Sequence, residues 1–124
     1  MGPVYLFNLA SQHAHWAAAR QATITGNIAN ANTGGYSALE IQDFAATLDD
    51  VAGLTMAHTN SGHIDMAGAA ADQGATFEVK DSGAPVKVDQ ELMKADETNR
   101  AFSLDTAIMR AFHRMVLTSL RSGA

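Results

Sequence analysis

The first 32 residues of this chain contain a single charged side chain, Arg20. A solvated surface helix carries a broad polar face, so a helix over this stretch would need protein around most of its circumference. A membrane span is not expected, because histidines, glutamines and asparagines interrupt the stretch far below the ~18–20 apolar residues that a span requires. With 124 residues in all, the chain is too small to cover such a helix alone. The pattern therefore predicts a helix that other protein molecules help to cover.

A heptad seam runs through this stretch, with small and apolar residues at alternating steps of three and four from Phe7 onward. Helices that pack as coiled coils carry this pattern. Pro3 suits a first helical position, and Gly34 and Gly35 are expected to end the helix. Gly26 inside the helix predicts close contact with another backbone. The seam residues that we expect at subunit interfaces are Phe7, Ala10, Ala14, Ala17, Gln21, Ile24 and Ile28.

Residues 33–87 form an acidic middle segment that we predict to be rich in loops. Eight acidic residues against two lysines give it a net charge of −6, whereas residues 1–32 carry +1 and residues 88–124 carry none. Residues 41–48 predict a helical turn or short strand, Thr76–Lys80 alternates as a strand does, and Asp81-Ser82-Gly83 is a turn signal. Without a basic patch, nucleic acid is not an expected partner.

A second long helix is predicted for residues 88–124. Asp89 is the expected N-cap, and acidic residues precede arginines along the helix, which suits the helix dipole. The apolar positions run from Leu92 to Leu120 and become adjacent pairs near the end, so the apolar arc is too wide for one partner helix. The residues that we expect at subunit interfaces here are Ile108, Met109, Phe112, Met115, Val116 and Leu120.

These observations predict a mainly α fold that forms one structural unit. The helices of residues 1–32 and 88–124 would pack as an antiparallel hairpin or coiled coil, and residues 33–87 would hold a short strand or hairpin. Such a hairpin covers one face of each helix and leaves the other faces exposed, which is typical of an assembly surface. Repeated, non-closing contacts would build a filament or tube. A soluble helical-hairpin adaptor that binds one partner helix is the alternative.

Catalytic and metal-binding residue types are sparse. The chain has no cysteine, which removes disulfides, thiolate metal ligands and cysteine nucleophiles. His13 and His15 are two positions apart and would point in different directions on a helix. His58, His63 and Asp65 could converge on a metal, which leaves a small hydrolase or metal-dependent enzyme as a third hypothesis. We expect no enzymatic activity, no cofactor and no metal site.

Residues 27–36 carry a recognisable motif, Asn-Ile-Ala-Asn-Ala-Asn-Thr-Gly-Gly-Tyr. It resembles the NxANxxTPGY signature near the N termini of bacterial flagellar rod and hook proteins. Residues 54–64 and the segment from Val88 through Met115 extend the resemblance to basal-body rod proteins, nearest to those of the proximal rod. Gly34 stands where proline is usual, so a looser exit from the helix is expected. The motif residues are Asn27, Asn30, Asn32, Thr33, Gly35 and Tyr36.

The resemblance implies a structural subunit of the bacterial flagellar basal-body rod that is required for motility. The implied partners are further copies of the chain, other rod subunits, the adaptor protein FliE, the MS-ring and the export apparatus. The implied location is the periplasmic rod, reached by flagellar type III export without a cleaved signal peptide. The missing basic start agrees with that route.

The asparagines of the motif have two possible roles, which do not exclude each other. Their side chains could satisfy free carbonyls at the helix end, or they could bridge neighbouring subunits. Tyr36 is expected to pack the chain back after the turn.

Overall fold

The fold comes from a computed structural model, which describes residues 3–52 and 77–123. In this part of the chain the elements are helix α1 (Pro3–Ala29), strand β1 (Leu39–Ile41), helix α2 (Phe44–Ala52), strand β2 (Val79–Asp81) and helix α3 (Val88–Ser122). Residues late in α1 contact residues early in α3, and residues early in α1 contact residues late in α3. The two long helices are therefore antiparallel, and the predicted mainly α hairpin is confirmed.

The seam of α1 faces α3, as the heptad spacing predicts. Ala10, Ala14, Ala17 and Ile24 are buried. The remaining seam positions (Phe7, Gln21 and Ile28) are half-buried. Alanine side chains let the two helix axes approach closely, but each buries little apolar area. The hairpin core is consequently thin.

The inward face of α3 is polar, which the sequence analysis did not predict. Its buried residues are Glu91, Thr98 and Asp105, spaced by seven. Phe112 continues the series and meets Phe7 of α1, with ring centroids 5.3 Å apart. Most of the large apolar side chains of this helix face outward. Of the described residues of α3, the exposed large apolar ones are Val88, Leu92, Met93, Phe102, Leu104, Met115, Val116, Leu117 and Leu120.

The middle segment holds a two-stranded antiparallel sheet in which Glu40 pairs with Lys80. The predicted strand is therefore present as β2, although it ends one residue later than expected and Thr76 lies outside the described residues. The predicted turn after it is also present. Gly83 has a φ of +68°, and its N–H donates to Oδ1 of Asp81 at 2.8 Å.

Two helix-end predictions need correction. Asp89 is not the N-cap of α3, because the helix begins at Val88 and Lys87 occupies the cap position without a side-chain hydrogen bond. Asp89 lies in the first turn, where its charge still suits the dipole. The first helix ends at Ala29, three residues before the predicted limit. The N–H and the Nδ2 of Asn30 both donate to the carbonyl of Gly26, at 3.1 and 2.9 Å, whereas the next N–H, of Ala31, donates to Ile28, three residues back.

The prediction of a close backbone contact at Gly26 is wrong for the described part of the chain. A Cβ atom added at this position would meet nothing within 4 Å.

Candidate functional site: the polar junction and the exposed helix faces

Asn27, the first residue of the motif, joins three elements. It is buried, with 1% of its surface exposed. Its Nδ2 donates to the carbonyl of Leu39 at 2.8 Å and to Oε2 of Glu91 at 3.0 Å. Its Oδ1 accepts from the N–H of Leu39 at 2.9 Å and from the hydroxyl of Tyr36 at 3.2 Å. The side-chain amide of Asn27 therefore holds α1, β1 and α3 together through these hydrogen bonds.

The contact with Leu39 follows from strand geometry. The main-chain groups of Ala38 and Gln42 bond towards the β2 side of the sheet, and alternate residues of a strand point their N–H and C=O to opposite edges. Leu39 therefore presents both groups at the other edge of β1. The side-chain amide of Asn27 supplies one donor and one acceptor, as a neighbouring peptide group would, and closes that edge.

Glu91 and Lys94 extend the junction. Glu91 is 2% exposed, and its second oxygen accepts from Nζ of Lys94 at 2.9 Å, while the same ammonium donates to Oε1 of Glu40 at 3.1 Å. Burial acts to lower the pKa of Lys94, but the hydrogen bonds and charges of Glu91 and Glu40 outweigh it, so the pKa is raised above the ordinary lysine value. A buried carboxylate needs such partners, and here it has them on both oxygens.

The motif ends in a tight turn formed by residues 33–36. The N–H of Tyr36 donates to the carbonyl of Thr33 at 3.2 Å. Gly35 has a φ of +78°, whereas Gly34 does not have a positive φ. This combination defines a type II turn, in which glycine is favoured at the third position and proline at the second. The geometry explains why glycine suits position 35 and why Gly34 can stand where the motif usually has proline.

The expected role of Tyr36 is confirmed. Its hydroxyl returns to Asn27 across the turn and packs the chain back onto α1. Asn30 has the local role described for the motif asparagines, because its Nδ2 donates to a carbonyl near the helix end, that of Gly26. Asn27 instead bonds to β1 and α3. Asn32, Thr33 and Gly35 are exposed.

A second polar pair lies halfway along the hairpin. Nδ1 of His13 is 2.7 Å from Oδ2 of Asp105, a carboxylate in a residue with only 4% exposure. The His13 ring stacks on Trp16 at 5.2 Å and meets the ring of Phe44 edge-on at 4.7 Å. Trp16 donates from Nε1 to the carbonyl of Gln42 at 2.8 Å. This cluster ties α1 to α3 and to the start of α2.

Histidine and aspartate at this distance also form the orienting half of a nucleophilic triad. Within residues 3–52 and 77–123, however, no hydroxyl group bonds to His13, whose ring contacts those of Trp16 and Phe44. That part of the chain also contains no group of three or more histidines and carboxylates arranged to hold a metal. His58, His63 and Asp65 lie outside the described residues. Among the described helices, none combines the length and apolar character needed to cross a bilayer.

The predicted interface residues divide into three groups by exposure. Ala10, Ala14, Ala17 and Ile24 are covered by the chain itself and are not open to another subunit in this conformation. Phe7, Gln21, Ile28, Ile108, Met109 and Phe112 are half-buried, and Met115, Val116 and Leu120 are exposed. Subunit contact therefore remains a prediction, and it concerns chiefly the last group.

Sequence reasoning missed Glu91, Asp105 and Trp16, which organise the two polar clusters. A signal for the first two was available, because Glu91, Thr98, Asp105 and Phe112 recur at steps of seven. That recurrence marks one helix face irrespective of polarity. No comparable signal distinguishes Trp16.

The geometry is that of an assembly subunit: a hairpin with a thin core, internal polar pairs and uncovered apolar faces. Residues 16–36 match the family described as "Flagella basal body rod protein". Over 129 aligned residues the chain is 33% identical to "Flagellar basal body rod protein FlgB" of Agrobacterium fabrum, an alignment that covers 98% of this chain and 96% of that protein. The chain belongs to the flagellar basal-body rod protein family, which confirms the resemblance of its motif.

Proposed function

We propose that this chain is a structural, non-enzymatic subunit of the proximal part of the flagellar rod, and that it self-assembles through its terminal helices. Family membership and similarity to a FlgB protein over almost the whole chain support the rod assignment.

The observation that carries self-assembly is the reversed polarity of α3. The buried apolar residues of the described chain are Ala10, Ala14, Trp16, Ala17, Ile24 and Ala38, and α3 contributes none of them. Nine large apolar side chains of α3 are exposed instead, among them Met93 at 75% and Leu120 at 69%. Monomeric proteins rarely leave such a surface uncovered.

Site-directed changes on the exposed face test this function directly. Val116→Asp and Leu120→Asp place a charge at apolar positions of α3 that are 41% and 69% exposed. Motility in soft agar should be lost, and circular dichroism should show that the chain is still produced and helical. Ser119→Asp is the matched control, because it adds the same charge to an exposed polar position of the same helix. Ile24→Asp is less informative, since burying a charge there would unfold the hairpin itself. Normal swimming by both apolar variants would refute the proposal.

The adaptor alternative predicts different behaviour in solution. An open-ended subunit should gain mass and helical content as its concentration rises, because neighbours cover the exposed faces and offset the entropy of ordering. An adaptor should keep constant mass and helicity until its partner helix is added. Sedimentation velocity and circular dichroism over a wide concentration range separate the two.

The proposed partners, location and export route rest on membership of the family. We propose that the neighbours are other rod subunits, the FliE adaptor and the MS-ring. We also propose that the chain is located in the periplasmic rod and is exported there through the flagellar type III apparatus without a cleaved signal peptide. Co-purification of tagged chain with basal bodies, and sequencing of the N terminus of that population, test partners and processing together.

A further inference from the structure

The two ends of the hairpin carry opposite charge. Residues 30–43 and 77–94, at the turn end, contain six acidic residues and three lysines. Residues 3–19 and 106–123, at the other end, contain three arginines and no acidic residue. Lys94 is engaged by Glu91 and Glu40, and Nζ of Lys80 lies 3.4 Å from Oε2 of Glu78. The other acidic residues of this end, Asp43, Asp81 and Asp89, are exposed, so the acidic excess faces solvent.

The three arginines form one stripe, which we call the arginine stripe: Arg110, Arg114 and Arg121. Their spacing of four and seven residues places them on one face of α3, and all three are exposed. Phe112, two positions after Arg110, points to α1, so the arginine stripe faces away from the hairpin. None of the three side chains forms an ion pair with another described residue.

The two charged ends cannot satisfy each other within one molecule. Glu91 and Arg114 are 23 residues apart on one helix, which corresponds to about 35 Å at ~1.5 Å per residue. The screening length at physiological ionic strength is about 8 Å. The attraction is therefore available only to a second molecule.

We infer that the arginine stripe docks on the acidic turn end of a second copy of this chain, in a head-to-tail contact. The inference rests on the proposed self-assembly and adds the direction in which successive copies are joined. Two different patches form such a contact, so it is heterologous and can repeat without closing. Leu117, three residues after Arg114 and four before Arg121, lies on the same face of α3. It is exposed and would be covered at the same joint.

Cysteine cross-linking tests the contact, because the chain has no native cysteine. One copy carries Thr118→Cys, next to the arginine stripe, and the other carries Ser82→Cys, in the exposed turn of the acidic end. Mixing the two should give cross-linked heterodimers in at least tenfold excess over either chain alone. Raising the salt from 0.05 to 1 M should abolish most of the product, since the screening length falls to about 3 Å.

Reversing the charges on each side then identifies the side chains that form the contact. Arg114→Glu with Arg121→Glu should reduce cross-linking tenfold or more, and Glu78→Lys with Asp81→Lys in the partner copy should restore it. Arg114→Lys with Arg121→Lys is the matched control and should cross-link like the unchanged chain. Unchanged helicity by circular dichroism excludes misfolding as the cause.

Three results would overturn the inference. The first is wild-type cross-linking by the Arg114→Glu, Arg121→Glu chain; the second is a predominance of Thr118→Cys homodimers, which indicates a closed symmetric contact. The third is an absence of cross-links together with arginine-dependent binding to vesicles containing phosphatidylglycerol, which would assign the stripe to a membrane surface. If the stripe variants assemble normally while Val116→Asp and Leu120→Asp do not, the stripe inference fails and the proposed function stands.

Discussion

Replacing Asn27 tests whether the motif works through hydrogen bonds inside the chain. Asn27→Ala leaves four groups without their partner: Oε2 of Glu91, both main-chain groups of Leu39 and the hydroxyl of Tyr36, which is half-buried and can turn to water. A buried polar group that loses its partner costs about 1–3 kcal/mol, and more when it is charged. Glu91 is almost fully buried, so it belongs at the upper end of that range. Leu39 is at the edge of a small sheet where water can approach, so about 1 kcal/mol is expected from its two groups together. The total is about 3–5 kcal/mol.

The assay is urea unfolding followed by circular dichroism, with the free energy of unfolding extrapolated linearly to water. A loss of this size is a large part of the ~5–15 kcal/mol that stabilises an ordinary domain. Asn32→Ala is the control within the same motif, because its side chain is exposed and its replacement should change stability by less than about 0.5 kcal/mol.

An isosteric change sharpens the test. Asn27→Asp keeps the size of the side chain but places a second carboxylate 3.0 Å from Oε2 of Glu91, so it should destabilise at least as much as Asn27→Ala. Adding Glu91→Gln supplies an amide donor from the other side and should recover part of the loss. A double-mutant cycle of Asn27→Ala with Glu91→Ala should show coupling of about 1.5–3 kcal/mol, the range for a hydrogen bond to a charged group. If the Asn27→Ala chain is as stable as the original, or if the double-mutant cycle shows no coupling, then Asn27 does not hold the three elements together through these hydrogen bonds.

Three further predictions follow from single positions. Gly34→Pro should raise the free energy of unfolding by about 0.4–1 kcal/mol, because the second position of a type II turn accepts proline and the unfolded chain loses freedom; urea unfolding measures it. Gly26→Ala should stabilise the isolated hairpin by about 0.5–1 kcal/mol, since the added Cβ meets nothing; thermal unfolding detects it. The raised pKa of Lys94 stabilises the fold below the ordinary lysine pKa of about 10.4, and this contribution is lost as pH rises through the folded value. Lys94→Met should therefore flatten the stability profile above about pH 10.

The first helix and the hairpin could be predicted from the sequence, because the pattern that indicates them lies within a short stretch of the chain. The residues of α1 that contact α3 are small or apolar and follow a heptad, so Ala10, Ala17 and Ile24 could be assigned to the seam from spacing alone. The turn could be predicted equally well, because Gly35 has the positive φ that glycine adopts without strain.

The inward face of α3 could not be assigned by hydropathy, because its partners are distant in the sequence. Glu91 meets Asn27 and Asp105 meets His13, residues separated by 64 and 92 positions. The hydroxyl of Thr98 donates to the carbonyl of Lys94 in the same helix. Burial of a carboxylate becomes favourable only when a donor faces it, and the register of the hairpin decides which donor does so.

In this arrangement the interactions that fix the register of the two helices differ from those that stabilise the hairpin. The polar pairs at Asn27–Glu91 and His13–Asp105 tolerate only one register, because a shift of either helix would leave buried carboxylates without donors. They add little net free energy, since buried pairs of this kind largely offset their own desolvation. Covering one exposed leucine or methionine of α3, by contrast, contributes roughly 1.5–3 kcal/mol. Nine large apolar side chains of α3 are exposed, six of them leucine or methionine. Even partial coverage by neighbours would therefore contribute more free energy than the thin, alanine-rich core. The register is therefore set within the chain, and most of the stabilisation should come from assembly.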